Sequence, residues 1–419
     1  MRVLVIGSGG REHALTRALA RDPEVTSLHA APGNAGIAAL ADLHPVAATD
    51  PAAITELAAR LAADLVVVGP EAPLVAGAVD ALTAKGITCF GPTAAAAMIE
   101  GSKSFAKGVM AAAGIPTATA RYCGTAAQAA AALDEFGPPY VVKDDGLASG
   151  KGVLVTRDRQ AALEHARHCA TVVIEEYLDG PELSLFALCD GTTAIPLLPA
   201  QDFKRAHDGD HGPNTGGMGA YTPLPWLPSA LTSEIMDTVI APAVTELRRR
   251  GTPYRGLLYA GLALTTRGPK VVEFNARFGD PETQVILDRL ATPPTALLHA
   301  AAATSLAGAP PLRWHPGAAV TVVIAAAGYP GNPSTGDVVE FLMKKKDTER
   351  TPSSYVLHAG TTRDEAGHII STGGRVLNAV GTGPDLATAR AAAYQAARTV
   401  HLPGSWYRHD IAATPTQCP

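Results

Sequence analysis

From Arg2 to about residue 100 the chain alternates short β-branched runs with alanine-rich stretches: "RVLVIG" then "REHALTRALAR", "ADLVVVG" then "PLVAGAVDALTAKG", and finally "TCFGP". Apolar strands separated by helical segments predict βαβ units and a parallel, Rossmann-like sheet. Ligands of such sheets bind at the carboxyl ends of the strands, where "GSGGRE" and "GPEAP" fall. The pattern changes at "EGSKSFAKGVMAAAGIPT", which predicts a helix stopped by Gly114 and Pro116. Residues 121–190 read as a second β/α block, and "DFKRAHDGDHGPNTGGMGAYTPLP" as a long glycine-dense segment without regular structure. A helix ("LTSEIMDTVIAPAVTELRRRG"), a strand pair ("GLLYAGLALTTRGPKVVEFNARFG") and another helix follow, and "AGAPPLRWHPG" marks a boundary before a β-rich end.

This organisation predicts a multidomain α/β and α+β chain. An N-terminal βαβ domain spans 1–100, a two-lobed domain spans 101–310 with 121–190 as one lobe, and a small C-terminal domain spans 311–419. Hydrophobic content of 47% with 17% charged residues fits a globular protein with a sizeable core. A formal charge of −5 supplies no general attraction to nucleic acid or anionic membrane, so any phosphate must be held locally. No apolar run is long enough to span a bilayer, and "MRVLVIGSGG" begins a strand without a secretory cleavage signature. The five cysteines are scattered and never form C-x-x-C, which suits reduced thiols and excludes a zinc site of that spacing. A cytoplasmic protein is expected.

Candidate chemistry sits in four places. "VVKDDGLASGKGV" mixes glycines with Lys143 and Lys151, but it lacks P-loop spacing and runs into a second β-rich segment. It therefore reads as a hairpin, either a flap over a nucleotide or a surface hairpin with two solvated lysines. "GSGGREHAL" places Glu12 where a dinucleotide fingerprint needs its third glycine. That breaks the fingerprint, leaving either a phosphate site at the helix start, aided by Arg11, or a tight turn built on Gly9 and Gly10. In "KVVEFNARFGDPE", strand alternation puts Glu273, Asn275 and Arg277 on one face, with Val272 and Phe274 directed to the core. Two oxygen donors suit a hard cation completed by phosphates and water, against the alternative of an exposed polar strand edge. Glu175 and Glu176 in "VVIEEYLDGPELS" read either as a solvated strand end or as a hinge presenting backbone to an adenine. Lys103, at a helix start where a cation does little for the dipole, adds a further hint of function. No G-x-S-x-G elbow is present, and no histidine shows metal-ligand spacing.

Together these segments resemble the ATP-grasp superfamily. Within it, "GSGGREHAL", "GPEAPLVAG", "EGSK", "KDDGLASGKGV", "DFKRAHDGDHGPNTGGMGAYTP", "VEFNARFGDPETQ", "HAGT" and "STGGRVLNAVGTG" are similar to the phosphoribosylamine–glycine ligase family. The resemblance covers Met1 to about Ile411. It implies ATP under the flap, with Lys103, Lys143 and Lys151 at its phosphates, the Glu175, Glu176, Tyr177 and Leu178 segment at adenine, and Glu182 at the ribose. It implies Mg²⁺ or Mn²⁺ on Glu273 and Asn275. Asp202, Arg277 and the loop carrying Asn214, Gly216, Gly217 and Met218 would shape the pocket for glycine and its acyl phosphate, with Arg277, Lys151 and Asp202 in catalytic roles. Gly9, Gly10, Arg11, Asn34 and Glu71 would face 5-phosphoribosylamine. The implied reaction makes glycinamide ribonucleotide, ADP and phosphate in purine biosynthesis, and the implied oligomeric state is a monomer. One departure is Asp144, where the family carries alanine after the flap lysine. Strand alternation predicts that Asp144 faces away from Lys143. The rivals are another ATP-grasp ligase, of the biotin-carboxylase or carboxyaminoimidazole-forming type, and a catalytically silent nucleotide-binding regulator.

Overall fold

The computed structural model describes residues 1–146, 152–169, 171–342 and 354–413. The first sheet is parallel throughout, in the order Asp42–Leu43, Ser27–Pro32, Arg2–Gly7, Leu65–Val68, Cys89–Phe90. Val3, Leu4, Val5 and Ile6 are all fully buried, as a strand covered on both faces requires. Burying each such side chain contributes roughly 1.5–3 kcal/mol. The strand order reverses between Arg2–Gly7 and Leu65–Val68, so the switch-point crevice lies between the turn at Gly7 and the helix Glu71–Val75.

One lobe of the middle region is an antiparallel sheet in the order Ala120–Cys123, Val172–Glu175, Tyr140–Asp144, Val153–Thr156, covered by the helices Ala126–Phe136 and Arg159–His168. Tyr140–Asp144 and Val153–Thr156 pair as the expected hairpin, with Lys143 opposite Val153. Most of its tip, Lys151 included, lies outside the described residues. The other lobe orders Ala194–Pro196, Glu182–Asp190, Arg255–Thr265, Gly268–Asn275. Residues 176–181 cross from one lobe to the other. Within that crossing Gly180 has φ +97°, and a Cβ there would strike the carbonyl oxygen of Leu264, so only glycine fits.

The segment 202–225 departs from the irregular reading. Four short strands fall in or run into it, Gln201–Asp202, Arg205–His207, His211–Asn214 and Gly219–Thr222. The last pairs with Ala318–Ala325, extending a five-stranded sheet completed by Arg375–Gly383 and Ser354–His358. Its order comes from pairing with strands about a hundred residues away, which local composition does not reveal. The helix predicted over 231–251 is interrupted by a π turn at Met236–Ile240. Ser102 caps the helix Lys103–Ala113, which ends at left-handed Gly114 as expected.

Candidate functional site

The strand Gly268–Asn275 corrects the simple alternation. Gly261 faces Glu273 while Leu262 faces Val271, so Val272 is bulged out of the ladder. Val271 and Phe274 therefore enter the core, and Val272 does not. Lys143 Nζ donates to the carbonyl of the bulged Val272 at 3.1 Å. Lys143 thus lies against the strand that carries Glu273 and Asn275, which joins the two lobes at the predicted cation site.

Burial opposes ionisation of Glu273, but the charges of Lys204, Lys143 and Arg277 outweigh it and hold the carboxylate below its usual range. Asn275 accepts from Arg277 at 3.2 Å, and its amide also helps hold the Glu273 carboxylate ionised. An ionised carboxylate beside an amide oxygen is a donor pair that suits a hard cation, with Arg277 holding that amide oxygen in this structure. Among the described residues no group of three His, Cys, Asp or Glu side chains could hold a metal ion, so a cation on Glu273 and Asn275 would need phosphate or water oxygens to complete its shell.

Lys103 reaches the same region. Its Nζ donates to Gly146 O at 2.9 Å, and burial and Lys143 depress its pKa against the pull of Glu273. Asp145 explains how the hairpin is seated, since its Oδ1 accepts from Lys103 N at 2.6 Å and Ser104 N at 3.2 Å at the start of Lys103–Ala113. Asp144 belongs to the alternate face of its strand, the one on which Val142 packs beneath the lobe's helices. Its charge helps raise the Cys169 thiol there, after burial, although Lys103 also feels it.

Along the crossing segment the glutamates differ sharply. Glu175 is buried and bridges Lys143 at 2.7 Å and Lys107 at 3.0 Å. Glu176 binds Lys270 at 2.8 Å, Arg267 at 3.3 Å and Thr119 N at 3.1 Å, contacts that overcome its burial and draw its pKa down to about 2. Both carboxylates are therefore committed to the scaffold, whereas Tyr177 is exposed and Leu178 half-buried. Glu182 pairs with Lys204 at 2.5 Å. Near Lys204, burial and the charges of Glu282, Glu182 and Glu273 push Asp202 up to about 7 despite Lys204's opposing charge.

At the switch point, Glu12 folds back so that Oε2 accepts from Gly9 N at 2.6 Å and Oε1 pairs with Arg11 at 2.5 Å. Its carboxylate crowds Gly7, Gly9 and Gly69, occupying the helix-start amide that a pyrophosphate would need. Arg11 is buried and also donates to Phe278 O at 3.1 Å, so it faces inward rather than into the crevice. Gly10 abuts Asn378, and Asn34 spends its amide on Ser8, His358 and Ala359 carbonyls and on the Gly36 and Ile37 amides. These residues clasp the first and last domains together.

Arg277 lies where the crevice meets the end of the strand Gly268–Asn275. It pairs with Glu71 at 3.1 Å and with Glu100 at 3.0 Å, and those carboxylates overcome burial to raise its pKa. The glycine-rich loop is held from the C-terminal sheet. Arg375 donates to the Gly216 carbonyl, to Gly217 O at 3.4 Å and to Asp280 O at 2.6 Å, while Gly216 N donates to the Tyr329 hydroxyl at 3.0 Å. Gly217, at φ +105°, packs against Pro281, whereas Asn214 is half-buried and Met218 belongs to the core.

Models of the phosphoribosylglycinamide synthetase N domain, ATP-grasp (A) domain and C domain match residues 1–100, 101–283 and 319–414. The chain belongs to the phosphoribosylglycinamide synthetase family. A Streptomyces coelicolor phosphoribosylamine–glycine ligase is 61% identical over 413 residues, covering 99% of both chains. The Mycobacterium tuberculosis (strain H37Rv) enzyme of the same name is 55% identical, covering 98% of this chain and 97% of its own. The crystal structure of the Thermotoga maritima phosphoribosylamine–glycine ligase superposes with a TM-score of 0.83 at 33% identity, covering 98% of this chain and all of the other. A biotin carboxylase domain of Hydrogenobacter thermophilus 2-oxoglutarate carboxylase, solved with MgADP and bicarbonate, shares the fold at TM-score 0.72 and 17% identity, over 97% of this chain and 91% of its own. In this family member, Lys107, Glu100, Asp145, Lys204 and Arg375 are the partners that sequence reasoning passed over. Only Lys107 left a local signal, four residues after Lys103 and so on the same side of the helix.

Proposed function

We infer that this chain is an ATP-dependent carbon–nitrogen ligase. It joins glycine to 5-phosphoribosylamine through glycyl phosphate, giving glycinamide ribonucleotide, ADP and phosphate in de novo purine (IMP) biosynthesis. The observation that carries this is the match of all three family domains in order along one chain, with relatives of that name at 55–61% identity over nearly its full length. The domains are taken as 1–100, 101–310 and 311–419.

ATP lies between the lobes, its adenine along Glu175–Leu178, its ribose near Glu182 and its phosphates facing Lys103, Lys143 and Lys151. Glu273 and Asn275 hold Mg²⁺ or Mn²⁺, which when bound supplies charge neutralisation at the phosphates. Glycine sits by Asp202, Arg277 and the Asn214–Gly219 loop, and 5-phosphoribosylamine near Gly9, Gly10, Arg11, Asn34 and Glu71. The inward turn of Arg11 and the use of the Gly9 amide by Glu12 support a role for this loop in shaping the crevice.

A glycine carboxylate oxygen attacks the γ-phosphorus, and ADP leaves. Lysines and Arg277 stabilise charge on the moving phosphoryl group. The amine of 5-phosphoribosylamine then attacks the acyl carbon, phosphate departs with the former carboxylate oxygen, and the amine loses a proton. The hairpin excludes water that would hydrolyse the intermediate. The protein acts as a cytoplasmic monomer on small molecules. Among the described residues no helix is long and apolar enough to cross a membrane.

ADP release, followed with glycine and freshly made 5-phosphoribosylamine and with each omitted in turn, tests the reading. Full turnover requires both. Turnover driven by bicarbonate instead of glycine assigns the chain to the carboxylase-like branch, and no turnover with any acceptor assigns it to the silent regulators.

A further inference from the structure

The helix Lys103–Ala113 places a second lysine, Lys107, one turn below Lys103. Its side chain is 8% exposed, and its ammonium donates to Thr117 Oγ1 at 3.0 Å, Ala118 O at 2.7 Å and Glu175 Oε1 at 3.0 Å. All three N–H bonds of Lys107 are thus used. The other oxygen of Glu175 holds Lys143 at 2.7 Å, and the Lys143 and Glu175 side chains are 6% and 4% exposed. Two lysines share one carboxylate, leaving the buried cluster with one net positive charge.

That arrangement has a specific consequence for a phosphate approaching Lys143. If Lys143 were the sole partner of Glu175, turning it toward an anion would strand a buried carboxylate, which is strongly unfavourable. With Lys107 present, a neutral Lys107–Glu175 pair remains behind. Lys107 is itself anchored to the segment between its helix and the metal strand, because Thr117 Oγ1 donates to Val271 O at 2.6 Å. It therefore stays in place while Lys143 moves.

We propose that Lys107 is a positioning residue of the nucleotide site, keeping Glu175 neutralised so that Lys143 is free to engage the phosphates of a nucleoside triphosphate. The inference rests on the assignment of Lys143 to ATP. Lys107 does not touch the nucleotide and acts only through Glu175.

The test is calorimetric titration of the full-length chain with a non-hydrolysable ATP analogue and Mg²⁺. Lys143→Ala must weaken binding if the nucleotide reading is right. Lys107→Met should weaken it roughly 100-fold, since Lys143 is then held by a carboxylate with no other partner. Lys107→Arg, which keeps the charge, should stay within about fivefold of the parent. Adding Glu175→Gln to Lys107→Met should recover most of the loss, because the stranded anion is gone. A purely structural lysine gives no such recovery. The inference alone is overturned if Lys143→Ala weakens binding while Lys107→Met binds within about threefold of the parent, or if the double variant binds no better than Lys107→Met. An unaffected Lys143→Ala overturns the nucleotide reading and this inference with it. Should Lys107→Met not fold, Lys107→Gln, which retains donors for Thr117 and Ala118, takes its place with the same expectation. If neither folds, a folded, binding double variant supports the charge role, and an unfolded one overturns it.

Discussion

Replacing Arg375 by alanine should disable the site from the C-terminal sheet without touching the nucleotide cleft. Arg375 spans two segments, donating to the Gly216 and Gly217 carbonyls on one side and to Asp280 O on the other. Its guanidinium also lies 3.5 Å from the Asp280 carboxylate. Burial opposes ionisation of Asp280, but Arg375 first and then Arg11 and Gln284 hold its pKa below the usual range. A hydrogen bond from a charged donor is worth about 1.5–3 kcal/mol. Losing two such bonds from the loop, with partial relaxation, removes about 3 kcal/mol of ordering, or roughly 100-fold in kcat/KM. Lysine reaches one carbonyl where arginine reaches several, so Arg375→Lys should recover about tenfold of that loss. Steady-state kinetics should show the decrease in kcat/KM for glycine and 5-phosphoribosylamine, while affinity for an ATP analogue changes less than about threefold. Arg375→Ala with kcat/KM within about threefold of the parent would refute the reasoning. An equal fall in ATP affinity would refute it too, because the loss would then not be confined to the glycine-rich loop.

Arg277→Met leaves Glu71 and Glu100 without their shared cation, which should cost about 3–5 kcal/mol and lower the urea midpoint. Adding Glu100→Gln should restore part of it, and an unchanged midpoint for Arg277→Met would contradict the ion-pair account. Asp202, pushed up to about 7 from an ordinary 3.8, holds a proton in the folded chain that the unfolded chain gives up earlier. It therefore weakens folding progressively as pH rises from about 4 to about 7. Asp202→Asn should flatten that part of the stability profile, measured by urea midpoints at about pH 5 and about pH 8, and an unaltered slope would assign it elsewhere. Asp144→Ala should leave ATP affinity within about twofold, whereas strong tightening would place that carboxylate beside the phosphates.

The elements legible in the sequence were those specified by their own residues. "RVLVIG" and "ADLVVVG" carry enough apolar character to announce strands buried on both faces, and Gly114 announces the end of its helix. The hairpin around Lys143 and the strand carrying Glu273 were equally readable. The bulge at Val272 was not, because it depends on register with Gly261 and Leu262 across the sheet. By its position Glu12 breaks the dinucleotide fingerprint, but its place against Gly9 and Arg11 emerges only once the turn is folded. Arg375 reaches Gly216 across 159 residues, and Lys143 reaches Val272 across 129. Such partners have no local signature. The strands within 202–225 were hidden for the same reason, since Gly219–Thr222 gains its order by pairing with Ala318–Ala325.

Glycine labelled with ¹⁸O in its carboxylate gives the most direct test of the acyl-phosphate ligase at the centre of this account. With ATP and 5-phosphoribosylamine present, each turnover should deliver one carboxylate oxygen to inorganic phosphate, detectable by mass spectrometry of the released phosphate. Phosphate released without ¹⁸O while glycinamide ribonucleotide accumulates would contradict it.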